Sequence, residues 1–268
     1  MTHQVGDTWL VRRGAQQGRV VTARLFCFPH AGVGASAYRL WAMGLPPALE
    51  VCAVQLPGRE SRFREPPLDR IDAAVAALLP VLRENSDLPF AFFGHSMGAV
   101  VATELTLALA AAGAPLPHHL FVSARRPPEV PDPDTPLANL PDAAFLVEIQ
   151  RRYGGIPAEV MQDAEMMGLL LPSLRADIRA LENHAPTRPT RIPVPLSVFG
   201  GSQDTRVPYT HLEAWRQAAA GEFRLRMFAG DHFYLNPRRA EVLAEVTTTL
   251  ASMLTPAVTV DRSPETAS

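Results

Sequence analysis

The chain has 268 residues, 47% of them hydrophobic and 19% charged, with a formal net charge of −2. That balance fits a globular enzyme of one large domain or two small ones, and it excludes the basic surface that nucleic acid or an anionic membrane selects. All 25 basic residues are arginine, as a GC-rich coding bias would give, and the two cysteines, Cys27 and Cys52, suggest neither a disulfide framework nor a metal cluster. The first residues lack the apolar run of a signal peptide, and no segment is long and apolar enough to span a bilayer, so the expected location is cytoplasmic.

In chain order, the first nineteen or so residues read as a polar arm. Val20 to Phe28 is a strand broken at Pro29-His30-Ala31-Gly32, and Ala35 to Met43 a short helix. Val51 to Leu56 is a buried strand, and Ile71 to Leu82 a helix that Asp69 can cap. Phe90 to Phe93 is a short, wholly apolar strand of the kind parallel sheets bury on both faces. Met97 to Ala112 is a helix ended by Gly113, and Leu120 to Ala124 another strand. This alternation predicts a parallel α/β sheet with helices on both faces.

Eight prolines between Pro115 and Pro141 interrupt the alternation. Three helical patterns follow, over Asp142–Tyr153, Pro157–Met167 and Leu170–His184. Residues 125–185 therefore read as a helical insertion capping one domain of residues 1–254. The sheet pattern resumes with a strand at Val194–Phe199, a helix near Tyr209–Ala219, a strand at Phe223–Phe228 and a helix over Arg238–Leu254. The Thr-, Pro- and Ser-containing tail 255–268 has a disordered composition.

Gly94-His95-Ser96-Met97-Gly98 matches G-x-S-x-G between an apolar strand and an Ala-rich helix, the setting of a nucleophile elbow. The turn strains the serine and projects its Oγ above the sheet, and a Cβ at either glycine would strike a neighbouring element. In this architecture an acid and then a histidine follow on loops after later strands. Gly200-Gly201-Ser202-Gln203-Asp204 makes Asp204 the candidate acid, and Ala229-Gly230-Asp231-His232 makes His232 the candidate base. Asp231 is a rival acid, but a side chain seldom curls onto its sequence neighbour's ring. His3, His118, His119 and His211 read as surface or loop residues.

A tetrahedral intermediate requires two N–H donors. The backbone N–H of Met97 is one candidate, and that of Ala31, in the loop after the first long strand, is the other. The stretch Gly32-Val33-Gly34-Ala35-Ser36-Ala37 fits a dinucleotide pattern, but Gln55-Leu56-Pro57 stands where an acidic residue would end the next strand, so no nicotinamide or flavin cofactor is expected. His118-His119 is an adjacent pair without carboxylates, so no metal is expected either.

The motifs together resemble the stand-alone type II thioesterases that accompany polyketide and nonribosomal peptide synthetases. The matching segments are Phe28-Pro29-His30-Ala31-Gly32, Leu56-Pro57-Gly58-Arg59 with Arg62, Glu65 and Pro66, and Gly94-His95-Ser96-Met97-Gly98. They continue with Ser123-Ala124-Arg125-Arg126, Leu171-Pro172 with Leu174-Arg175-Ala176-Asp177, and Gly230-Asp231-His232-Phe233. Val33 stands where that family usually carries a second glycine. The resemblance implies an α/β-hydrolase fold and release of acyl groups from the phosphopantetheine arm of an acyl or peptidyl carrier protein, with 125–185 a mobile lid.

Arg59, Arg62, Arg64, Arg125 and Arg126 form either a rim for an acidic carrier protein or loop arginines paired with Glu60 and Glu65. The residues alone leave two alternatives to a thioesterase: a carboxylesterase or lipase, and a non-catalytic ligand-binding protein on the same fold. A monomer is expected.

Overall fold

The computed structural model describes residues 8–13, 20–132, 134–186 and 190–254. Seven strands form one sheet: β1 (Leu10–Arg13), β2 (Ala23–Phe28), β3 (Leu49–Val54), β4 (Phe90–His95), β5 (Leu120–Ser123), β6 (Leu196–Gly201) and β7 (Phe223–Phe228). Their order is β1-β3-β2-β4-β5-β6-β7, parallel except for β1, which runs antiparallel along β3. The fold is that of an α/β-hydrolase.

Side-chain alternation along the strands explains why both faces are covered. Phe26, Phe28, Cys52, Val54, Phe92 and Val122 point to one face, where they meet α1 (Ile71–Glu84) and α2 (Met97–Ala111). Leu25, Val51, Phe93, Phe121 and Phe199 point to the other, against Trp41 and against Val242 and Val246 of α7 (Arg239–Thr249). The short helices α6 (Tyr209–Glu213) and α8 (Ala251–Leu254) complete these layers.

Between β5 and β6 lie α3 (Asp142–Arg152), α4 (Ala158–Gln162) and α5 (Ala164–Glu182). The first and last of these share a small core of their own in which Phe145 and Ile149 meet Leu174 and Ile178. Asp163 caps α5 by accepting from the N–H groups of Glu165 (2.9 Å) and Met166 (3.0 Å), so Met166 and Met167 join this helix rather than the shorter one before it.

Several expectations shift. The arm contains β1, where Leu10 faces Val54, and the Arg62 guanidinium lies 4.1 Å over the Trp9 ring. A four-residue edge strand carries too little pattern to be seen locally. The expected helix over Ala35–Met43 is two 3₁₀ turns, Ala35–Tyr38 and Trp41–Met43, because side chains from the loop after β3 take up the N–H groups of Gly34, Ala35 and Ser36. Arg70, not Asp69, occupies the cap position of α1, without a side-chain bond. The tail 255–268 and residues 1–7 and 14–19 of the arm lie outside the described residues.

His119 is not a surface residue: it is buried against Phe121, with Nε2 2.8 Å from Ser197 Oγ. Burial, and then Arg224, push its pKa down to about 4. His95 is fully buried and held well below 6.5 by burial and by the neighbouring His232 and His30. Both imidazoles are depressed bases, so the unfolded chain binds protons that the folded chain refuses below pH 6.5. Stability should therefore be highest above pH 6.5 and fall as pH drops from there toward 4. His119→Gln should flatten that slope by up to about 1.4 kcal/mol per pH unit, measured by urea unfolding across the window.

Candidate active site

The site begins with one strained residue. Ser96 has φ +54° and ψ −113° at the junction of β4 and α2, a conformation L-residues rarely hold. A Cβ on Gly94 would fall on Gly98 and Ala99, and one on Gly98 would fall on the carbonyl of Phe28. Two glycines thus let α2 press its first turn against the ends of β4 and β2. The turn is pinned from behind: Ser123 Oγ sits 2.8 Å from His95 Nδ1 and 2.6 Å from Tyr234 Oη.

The structure brings Ser96, His232 and Asp204 together. His232 Nε2 lies 3.1 Å from Ser96 Oγ, and its Nδ1 lies 2.7 Å from Asp204 Oδ2. Asp204 Oδ1 accepts from the N–H groups of Arg206 (2.9 Å) and Val207 (3.1 Å). Burial works against the Asp204 charge, yet His232 and these two amides hold its carboxyl below the usual range. With Nδ1–H donated to Asp204, Nε2 presents its lone pair to the serine hydroxyl. Asp231, the rival acid, instead accepts from its own loop, at Phe233 N–H (2.8 Å). A side chain on Gly201 would strike the Asp231 carbonyl, so the bare end of β6 is what lets the two loops meet.

Ala31 and Met97 lie beside this chain, and neither backbone N–H has an acceptor among the described residues. The loop carrying Ala31 is held by side chains from the loop after β3 and from α5. Gln55 Oε1 accepts from Ala35 N–H (3.0 Å), and Glu60 accepts from Gly34 and Ser36. Asp177 of α5 accepts from Gly32 N–H (2.8 Å) and forms a two-pronged ion pair with Arg59. Of these, Arg59 and Asp177 lay in the matched motifs, whereas Gln55 and Glu60 did not.

A cavity of about 230 Å³ opens from Ser96 and His232. Its walls are apolar: Val33, Ile149, Ile156, Val160, Leu174 and Phe233. The ring of Tyr153 lies 5.3 Å from that of His232. The backbone at Gly155, with φ +85°, packs so closely on Phe233 that no side chain would fit there. His30 also borders the cavity, its pKa lowered to about 4 by burial and by His232 despite a bond to the Ala31 carbonyl. Among the described residues no group of three His, Cys, Asp or Glu side chains is arranged to hold a metal ion, and no helix is long and apolar enough to cross a membrane.

The arginines divide differently from a uniform docking rim. Arg59 is buried with Asp177, and Arg126 is buried and paired with Asp132. Arg62 pairs with Glu65 at 2.6 Å. Charge reversal at Arg59 or Arg126 would break a buried pair rather than probe a carrier surface.

The thioesterase domain family model matches residues 23–250. The gramicidin S biosynthesis protein GrsT of Aneurinibacillus migulanus is 39% identical, covering 94% of this chain and 97% of that protein. The thioesterase PikA5 of Streptomyces venezuelae is 37% identical, covering 83% of this chain and 79% of that protein. Among solved structures, the type II thioesterase BorB from the borrelidin biosynthetic cluster superposes with a TM-score of 0.76 at 34% identity, covering 93% of this chain and 98% of that one. A sheet, an elbow and a match of this extent lead to one conclusion: the chain belongs to the thioesterase domain family, as a hydrolase of thioesters related to the type II enzymes of polyketide and nonribosomal peptide pathways.

Proposed function

We propose that this thioesterase releases acyl groups from the phosphopantetheine arm of carrier proteins through a serine-bound acyl intermediate, with Ser96 as nucleophile, His232 as general base and acid, and Asp204 as the carboxylate orienting His232. The observation that carries this reading is the continuous hydrogen-bond chain Asp204–His232–Ser96, opening onto an apolar cavity.

The chemistry runs in two halves. Ser96 Oγ attacks the thioester carbonyl carbon as its proton passes to His232 Nε2, and the carbonyl electron pair moves onto oxygen. The N–H groups of Ala31 and Met97 receive that oxyanion, aided by the positive end of α2. The carbon–sulfur bond then breaks, the pair leaves on sulfur, and His232 returns the proton to give the free thiol. A water, deprotonated by His232, cleaves the resulting ester by the same path. A thiol of pKa about 8.5 leaves readily, so the site needs little acid assistance beyond His232. Among the neighbouring imidazoles only His232 takes up the proton, because burial keeps His30 and His95 neutral at pH 7.

In this reading residues 1–254 form a single hydrolase domain, and the segment 125–185 acts as a lid that moves to admit the acyl chain. This segment, helices and connecting loop together, supplies most of the cavity wall, and the volume exceeds the roughly 150 Å³ that accepts a benzene ring. Arg59 and Arg126, buried in ion pairs, offer little free charge to a carrier.

Three measurements test the assignment. Ser96→Ala should cut kcat on an acyl-pantetheine thioester by on the order of 10⁶-fold, and a serine-directed phosphonate should label the parent protein but not the variant. Near-normal turnover in the variant would remove Ser96 from its role. Asp204→Asn should lower kcat by about 10⁴-fold with a small change in KM. Finally, kcat/KM should be higher for carrier-bound acyl thioesters than for matched oxygen esters of the same chain; a preference for the esters would make the enzyme a carboxylesterase.

A further inference from the structure

We propose that the buried Arg59–Asp177 ion pair is a positioning device for the oxyanion loop, fixing the direction of the Ala31 N–H from the helix that walls the acyl cavity. The proposal rests on the reading of Ala31 as an oxyanion donor.

The pair is sealed from water, with Arg59 4% and Asp177 1% exposed. Buried ion pairs are poor stabilisers, because desolvation consumes much of the Coulombic gain and a packed apolar pair often does as well. Its contacts point to another role. Asp177 Oδ1 takes Arg59 Nη2 at 2.9 Å, while Oδ2 takes both Arg59 Nη1 and the Gly32 N–H, the latter at 2.8 Å. Arg59 Nη1 also reaches the Val33 carbonyl at 3.4 Å, and Nε the Pro57 carbonyl at 3.3 Å. The pair thus grips the loop by a donor and an acceptor one residue apart.

The peptide between Ala31 and Gly32 is thereby held at both ends. Its N–H donates to Asp177, and its carbonyl lies 3.1 Å from His30 Nδ1. A peptide unit so held cannot flip, which fixes ψ of Ala31 and φ of Gly32 and anchors the Cα beside which the Ala31 N–H projects. Gly32 has φ +82°, and a Cβ there would stand 3.0 Å from Leu174 Cδ1, so α5 lies directly on the loop. Burial raises the Asp177 carboxyl pKa, and Arg59 and the Gly32 amide oppose that rise. Arg59 thereby favours the charged form of Asp177, the stronger acceptor. Because Leu174 and Ile178 of the same helix line the cavity, the element that senses the acyl chain also sets the donor.

The experiment replaces the charges without leaving a hole. Arg59→Met with Asp177→Leu should fold with a melting temperature near that of the parent protein. Its kcat should nonetheless fall by about 10²–10³-fold, the loss expected for one oxyanion donor, with KM within about twofold, since an unaimed donor is missed only when charge develops. Affinity for an acyl trifluoromethyl ketone, which adds Ser96 to form an oxyanion, should fall by a similar factor, while affinity for a non-hydrolysable thioether analogue stays unchanged. Arg59→Gln with Asp177→Asn, which keeps an amide acceptor for Gly32, should recover part of the loss and carries the comparison should the apolar pair not fold. Parental kcat and ketone affinity in either folded variant, or a rise in KM alone, would overturn the proposal. Ala31→Pro, lacking the N–H itself, separates the two failures. If it loses turnover while the paired variants do not, the ion-pair proposal alone falls. If it keeps turnover, the donor reading falls first and takes the proposal with it.

Discussion

The left-handed backbone of Ser96 is the constraint on which the site depends. A φ of +54° at a residue with a Cβ costs on the order of 1–3 kcal/mol and survives only where the surroundings over-determine it. Here β4 enters and α2 leaves at an angle possible only because Gly94 and Gly98 have no side chains to meet. The turn lifts the hydroxyl clear of the sheet and lays the first turn of α2 against the Phe28 carbonyl. That contact brings the loop after β2 beside the Met97 amide, and so one strained residue sets the Ser96 hydroxyl and both candidate donors in a common frame.

Sheet order then does what chain order cannot. β4 lies between β2 and β5, with β6 and β7 beyond, and all five run parallel, so their following loops emerge on one side. Ala31, Ser96, Asp204 and His232 each sit just past the carboxyl end of a strand, where crevices in parallel sheets form. Gly201 finishes the assembly by letting the His232 loop lie against β6. Around this cluster burial holds His30 and His95 neutral, while His232 and two backbone amides keep the Asp204 carboxyl low against burial.

Charge elsewhere is mostly structural. With arginine as the only strong base, the planar two-pronged grip recurs at Arg59, at Arg62 on Glu65, and at Arg151 on Glu148. The first is buried and touches the functional loop; the others are partly exposed, and exposed pairs contribute little stability. Position in the fold, rather than residue type, separates a loop-holding arginine from an ordinary one.

The order of apolar strands, the break after Phe28, the G-x-S-x-G turn and the Gly-Asp-His ending of a late strand are local patterns, and from them the fold class and the candidate site residues Ser96, Met97, Ala31, Asp204 and His232 were legible in the sequence. The matched motifs even contained Arg59 and Asp177, but only as letters 118 positions apart. Their pairing, the capture of Ala35 by Gln55, the edge strand β1, the 3₁₀ turns in place of a helix and the burial of His119 became visible only in three dimensions. Strand pattern and turn chemistry act between neighbours along the chain, and so are written locally. Desolvation and the capture of a distant backbone N–H depend on which surfaces meet after the chain has crossed the sheet several times, and no local pattern encodes that.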